Sequence, residues 1–339
     1  MSVSRRKSER AGVSVQPGKC LAPNGRIRCL FNMIWLGERR GYFTDWVTQC
    51  WVRCTGRRID PAEHPWLTGP RAPASGIGAD YFENLATAEG LRLERPDTPA
   101  GIVPDFDQLR GGSFEPERVR PEVARFYERT SAYELDAWGE WCGFFRPFGW
   151  LLAVCFSRRL QQLNVPLSGL DTSKGLSNEV LRFFDPQTGE LRHTAWFRRL
   201  QGSGNVLYAG FYSICTLPGR PEPCVKVVFP LPNGNAVVVM RTECRPDGSF
   251  AVVSAGRRFG DPGFYFTLYG PSGGVWARYV RSLRETIHVY AAENGTLRAD
   301  HRLTYFHARF LRLHYRMRPD GGGGFDAVHE AENRRGETS

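Results

Sequence analysis

Short apolar runs alternate with turn-forming residues over the second half of the chain, from Glu179 to Met317. The runs are rich in β-branched and aromatic residues, and the separators include the Asn-Gly, Asp-Gly and Gly-Gly pairs that favour tight turns. This pattern predicts about nine strands. Because short connections join antiparallel neighbours, we expect a meander. A meander of this length most readily removes its exposed edges by closing into a barrel.

The first half of the chain has apolar residues at helical spacing between irregular stretches. Aromatic and apolar residues recur every three or four positions from Phe43 to Cys54, which predicts a helix that ends at Gly56. A second helix is predicted over residues 79–89. A third begins at Pro121, a residue that suits the first helical turn, and continues to Trp141. The fold class that follows is α+β, with a helical and irregular N-terminal half packed on a barrel-like antiparallel sheet.

Composition divides the chain into four regions. Residues 1–25 are predicted to be a disordered basic arm, and residues 26–165 a helical and irregular region. Residues 166–318 carry the strand pattern and form the predicted barrel-like domain. Residues 319–339 open with a run of glycines and are predicted to be a flexible tail.

The segment Phe148–Phe156 is apolar on all sides and is followed by Arg158 and Arg159. Such a segment is either a helix buried between two layers or one that lies in a membrane interface. Its short length favours burial.

The positive charge of the chain is concentrated at its N-terminus. The formal net charge is +10. Residues 1–40 hold nine Lys and Arg against two Glu, so they supply +7, and the remaining residues supply only +3. A nucleic-acid-binding protein would carry a basic face on its folded body. The charge distribution therefore argues against a nucleic-acid partner.

No secretion signal is visible, because polar residues, Gly and Pro follow the Arg5-Arg6 pair where an apolar segment would be needed. The longest apolar runs are well short of the roughly 20 residues that span a bilayer. The nine cysteines are interpreted as buried thiols in a reducing compartment, although Cys215 and Cys224 are spaced to face each other across a hairpin. The sequence thus predicts a soluble, cytoplasmic protein.

Side-chain alternation selects candidate site residues on the last strands. If residues 275–290 form one strand, Tyr279, Arg281 and Glu285 share its apolar, inward face. On the final strand, His301, Tyr305 and His307 share one face, and Arg309 interrupts the pattern, which suggests a bulge. The candidates for acid–base chemistry are Glu285, His301 and His307, and the candidates for ligand contact are Arg281, Tyr305, Tyr279 and the loop residues Arg257 and Arg258.

Three interpretations of these residues stay open. An arginine among apolar walls commonly holds an acidic head group. A Glu–His pair can transfer protons. The same charges can also form a purely structural ion-pair network. No metal-ligand spacing and no nucleotide-binding motif is present, so we expect neither a metal nor a cofactor.

In strand number and connectivity, the predicted domain resembles the lipocalin-like or calycin barrels. The strand region, of about 140 residues, has the size of a small barrel that encloses one ligand-sized cavity, and the resemblance by itself implies no function. The leading hypothesis is a protein that binds a hydrophobic small molecule or lipid with a polar or acidic head group. The alternatives are an enzyme that acts on such a molecule through Glu and His, and a peripheral protein that contacts membranes through Phe148–Phe156 and the basic arm.

Overall fold

The computed structural model describes residues 43–73, 76–78, 80–145, 176–200 and 206–319. Three α-helices are present in this part of the chain, namely α1 (Phe43–Thr55), α2 (Tyr81–Glu89) and α3 (Pro121–Glu128). The strands are β1 (Arg57–Ile59), β2 (Arg92–Glu94), β3 (Tyr133–Trp141), β4 (Leu176–Phe184), β5 (Leu191–Leu200), β6 (Val206–Leu217), β7 (Arg220–Leu231), β8 (Gly234–Cys244), β9 (Phe250–Ser254), β10 (Gly263–Tyr269), β11 (Val275–Tyr279), β12 (Leu283–Ala291), β13 (Leu297–Tyr305) and β14 (Ala308–Pro319). The basic arm, the segment Phe148–Phe156 and the glycine-rich tail lie outside the described residues.

The structure is a predominantly antiparallel sheet with few helices, which confirms the sheet-rich fold. Its main path runs in the order β2-β4-β5-β6-β7-β8-β9-β12-β13-β14-β3. In addition, β10 pairs with β8 and β11, and β1 pairs with β11. From β4 to β9 the order follows the chain, as short hairpin connections require.

The third predicted helix is only half correct. Helix α3 ends at Glu128, and residues Tyr133–Trp141 form β3 instead. The reason is a period of two: Tyr133, Leu135 and Ala137 are buried, whereas the residues between them are more exposed. Strand β3 therefore belongs to the sheet although it comes from the region predicted to be helical.

The two ends of the sheet are not joined by a backbone ladder in the residues that the structure describes. Instead, the Asn178 side chain on β4 donates from Nδ2 to the carbonyl oxygens of Thr130, at 2.6 Å, and Tyr133, at 2.8 Å. The sheet is thus open, and the prediction of a closed, lipocalin-like barrel is wrong. The meander does not close on itself because β3, from the N-terminal half, lies along its last strand.

Residues 275–290 are not one strand. Strand β11 pairs with β10, the chain shifts sideways at residues 280–282, and β12 then pairs with β9 and β13. Arg281 lies in this turn and is exposed. The shift interrupts the alternation on which its expected inward position depended.

The long final strand of the prediction is a hairpin. Strands β13 and β14 are joined by Phe306 and His307, both of which have positive φ angles, of 47° and 69°. Two-residue hairpin loops of this geometry usually contain Gly or Asn, so no turn signal marked this position. The expected bulge is present, because Thr304 pairs with Arg309 while Leu303 pairs with Leu311.

Each face of the β4–β8 region packs against its own core. The outer face carries Phe183 and Phe211 and is covered by Phe82 of α2 and by Trp66. The inner face carries apolar residues such as Val227 and Val238, and α3 packs against the same cluster. Because the sheet curls toward this inner side, a cavity lies between its strands.

Candidate functional site

A cavity of about 790 Å³ lies on the inner side of the sheet. Alternate residues of β3, β5–β8 and β12–β14 line it. At one end it is bounded by Phe126 and Tyr127 of α3, and Gln49 and Val52 of α1 also contribute to its wall. Most of the lining is aliphatic or aromatic. A volume of this size accommodates a ligand of several hundred daltons.

The main cationic group in the wall is Arg198 on β5. Its side chain is buried, at 3% exposure, and among the described residues no carboxylate lies within ion-pairing distance of it. Its Nε and Nη2 atoms are buried and have no hydrogen-bond partner in the part of the chain that the structure describes. The guanidinium lies 5.1 Å from the ring centre of Trp196 and 5.3 Å from that of Tyr315. Cation–π contacts therefore hold the cation, while its N–H groups keep unused donor capacity.

Side-chain alternation along β5 explains why Arg198 is buried and Arg199 is exposed. Arg199 points to the opposite face of β5, is exposed, and contacts Glu179 across the strand pair at 2.5 Å. Arg198 lies on the cavity side of the strand. Among the described residues it has no carboxylate partner such as the one that Arg199 has.

Three tyrosines lie next to Arg198. The hydroxyls of Tyr208 and Tyr212 are 2.5 Å apart. Burial raises the pKa of both tyrosines well above the usual range. Burial also raises the pKa of Tyr315, and the positive charge of Arg198 offsets part of that rise. All three are neutral at physiological pH, so they can donate hydrogen bonds inside the cavity.

A carboxylate and an imidazole face each other at the other side of this cluster. Glu285 of β12 is buried, and its Oε1 atom contacts Nε2 of His301 on β13. The backbone N–H of Glu285 donates to Ser254 Oγ at 2.9 Å, which fixes this part of β12. The His301 ring stacks on Tyr315 with an angle of 22° between the planes. Arg198, Tyr315, His301 and Glu285 thus form one continuous row of contacts.

Of the predicted site residues, Glu285, His301 and Tyr305 line the cavity. Arg281 and His307 lie in exposed turns outside it. His307 leaves the expected face because the chain reverses at this position.

The remaining candidates also lie outside the cavity. Tyr279 packs against Tyr265, with ring centres 5.0 Å apart. Arg257 and Arg258 are exposed, and their backbone N–H groups donate to Asp261 Oδ2 at 2.9 and 3.1 Å. Their loop is therefore held by an aspartate.

Sequence reasoning missed Arg198, Tyr208 and Tyr212. The alternation on β5 and β6 contained the signal, because Trp196 and Arg198 share one face, as do Tyr208 and Tyr212. The two strands of a meander give no indication of which face is concave, so this signal alone was not sufficient. Among the described residues, no group of three or more His, Cys, Asp or Glu is placed to hold a metal ion.

Comparison with known proteins gives one similarity of note. Over 241 residues, or 70% of the chain, the sequence is 25% identical to a protein named uncharacterized membrane protein YndJ of Bacillus subtilis (strain 168). The chain spans 41% of the length of that relative. No family model matches the chain, and no solved structure matches it.

The similarity concerns the cellular location of the protein. The relative is named as a membrane protein, which conflicts with the prediction of a cytoplasmic, lipocalin-like protein and overturns it. None of the helices in the described ranges combines the length and the apolar character needed to cross a membrane.

Proposed function

We propose that the protein binds an amphiphilic molecule, such as a lipid, with its hydrocarbon part in the cavity and its anionic head group at Arg198. The observation that carries this proposal is the buried guanidinium of Arg198 in an apolar wall, where none of the described residues offers it a carboxylate. A buried charge without a partner is costly, by several kcal/mol. An anionic head group would supply the missing partner and would use the free N–H groups of Arg198.

The surrounding residues fit the same ligand. Tyr208 and Tyr212 are neutral donors beside the cation, so they can share in binding head-group oxygens. Val227, Val238 and Val289 line the cavity and provide contact for a hydrocarbon chain. The similarity to a protein named as a membrane protein is compatible with a lipid ligand.

A pair of probes tests the role of Arg198. A fluorescent long-chain carboxylate and the alcohol of the same chain length would be titrated into delipidated protein. Because a hydrogen bond to a charged group contributes about 1.5–3 kcal/mol, Arg198→Met should weaken carboxylate binding by about 10- to 150-fold. Binding of the alcohol should change little.

The matched control is Arg199→Met, the same substitution on the opposite face of the same strand. It should leave both affinities unchanged. Equal affinity of the native protein for carboxylate and alcohol would argue against the proposed head-group site.

The contact between Glu285 and His301 favours a second candidate function, acid–base catalysis on the bound molecule. Lipids extracted from the native protein and from a Glu285→Gln variant would be compared by mass spectrometry. Catalysis predicts that the variant retains an unconverted substrate of different mass. Identical ligands in the two preparations would leave binding alone as the function.

A further inference from the structure

The loop between β13 and β14 presents two aromatic rings to solvent. Tyr305 is 44% exposed and Phe306 is 71% exposed, and their ring centres are 4.8 Å apart. We call this pair the aromatic tip. Phe306 has a φ angle of 47°, in the left-handed region that bulky residues rarely occupy. A large apolar side chain is thus held in water at a position where Gly or Asn would be less strained.

The aromatic tip lies at the margin of the cavity. Tyr305 belongs to the cavity wall together with Leu283 and Phe310. The backbone N–H of Phe306 donates to Ser282 O at 2.9 Å, which joins the tip to the turn between β11 and β12. Because Tyr305 both lines the cavity and is exposed, it marks a place where the cavity lies close to the surface.

Two arginines flank the tip. Arg281 lies in the turn that receives the Phe306 hydrogen bond, and Arg309 follows the tip on β14. Both are exposed, and neither has an ion pair with another described residue. Exposed aromatic rings beside exposed cations are complementary to an interface of hydrocarbon and anionic head groups.

We propose that the aromatic tip inserts into the interfacial region of an anionic lipid bilayer, with Arg281 and Arg309 on the head groups. This contact would set the margin of the cavity against the membrane, where an amphiphile can pass between the bilayer and the protein. The partner is thus the bilayer itself, which goes beyond the ligand proposed for the cavity.

Vesicle flotation of the full chain tests the aromatic contribution. Phe306→Gly removes the ring and suits the positive φ angle, so the variant should fold at least as stably as the native protein. We expect about tenfold weaker binding to vesicles of phosphatidylcholine and phosphatidylserine. His307→Gly is the matched control, because it changes the same turn and keeps the ring, and its binding should equal that of the native protein.

The charge contribution is tested by Arg281→Gln combined with Arg309→Gln. Near an anionic surface each arginine contributes about a fivefold change in affinity, so the double variant should bind about 25-fold more weakly. The control variant, Arg245→Gln combined with Arg298→Gln, removes the same charge far from the tip. Its affinity for the vesicles should fall by less than about threefold. Native binding should also weaken as salt is raised, and should be lost on phosphatidylcholine alone.

Two outcomes would overturn the proposal. One is a failure of the native protein to float with anionic vesicles, and the other is binding of Phe306→Gly as tight as that of His307→Gly. The same variants distinguish failure of the head-group site from failure of membrane insertion. Arg198→Met should still bind vesicles, and Phe306→Gly should still bind the carboxylate probe in solution.

Discussion

Arg198 is expected to reduce the stability of the ligand-free protein. The residue is 3% exposed, and the Nε and Nη2 atoms of its guanidinium have no hydrogen-bond partner within the described ranges. Replacing buried ionic groups by apolar side chains of similar volume is often neutral or stabilising by about 1–4 kcal/mol. Arg198→Met loses the contacts with Trp196 and Tyr315, each about 0.5–1 kcal/mol. The net expectation is a stabilisation of about 1 kcal/mol, or about 2–3 °C in melting temperature.

The assay is urea unfolding of delipidated native and variant protein, followed by circular dichroism. The same substitution that stabilises the empty protein should abolish the extra stability that an anionic ligand confers on the native protein. Such opposite effects are typical of a residue kept for binding. A destabilisation of more than about 2 kcal/mol in the empty protein would refute the reasoning, because it would mean that the guanidinium is satisfied within the fold.

Three further predictions concern stability. Tyr208→Phe leaves the buried Tyr212 hydroxyl without its partner at 2.5 Å and should lower the free energy of unfolding by about 1–3 kcal/mol. In a double-mutant cycle, Tyr208→Phe combined with Tyr212→Phe should lower it by less than the sum of the two single substitutions. Asn178→Ala removes the hydrogen bonds between the sheet ends and should lower the free energy of unfolding by about 2–4 kcal/mol. The backbone amides of β3 should then exchange their hydrogens faster, and unchanged exchange would contradict this role. Burial lowers the pKa of His288, so the histidine of the unfolded chain is protonated at a higher pH than that of the folded protein, and the free energy of unfolding should fall as the pH drops below about 6.5. His288→Asn should reduce this fall, as measured by urea unfolding at several pH values. An unchanged dependence on pH would exclude His288 as its source.

Much of the sheet was predictable because its signals are local. Asn-Gly, Asp-Gly and Gly-Gly pairs set hairpins at predictable positions. Alternation placed Leu283, Glu285 and Val289 on one face, and all three line the cavity. Errors arose where local signals are weak. The Phe306-His307 turn has no turn-forming residue, and β3 follows a helix with only a four-residue gap.

The candidate site was only partly predictable, because it depends on which strands meet. Glu285 and His301 could be paired from alternation on neighbouring strands. Arg198 lies on β5 and Tyr315 on β14, so the two residues come close together only when the sheet curls. Alternation within residues 275–290 predicts that Arg281 is the inward arginine, whereas in the structure Arg198 is the arginine that lies in the apolar wall.

The amino-acid sequence by itself determined an antiparallel, sheet-rich fold and an inward Glu285, because hairpin geometry and side-chain alternation act over a few residues. The tertiary structure decided that the sheet is open, that Arg198 has no carboxylate partner among the described residues and that Phe306 is exposed. These properties depend on the distances between strands far apart in the chain and on the packing between them. A period-two pattern specifies which residues share a face, but only the assembled sheet determines which face encloses a cavity.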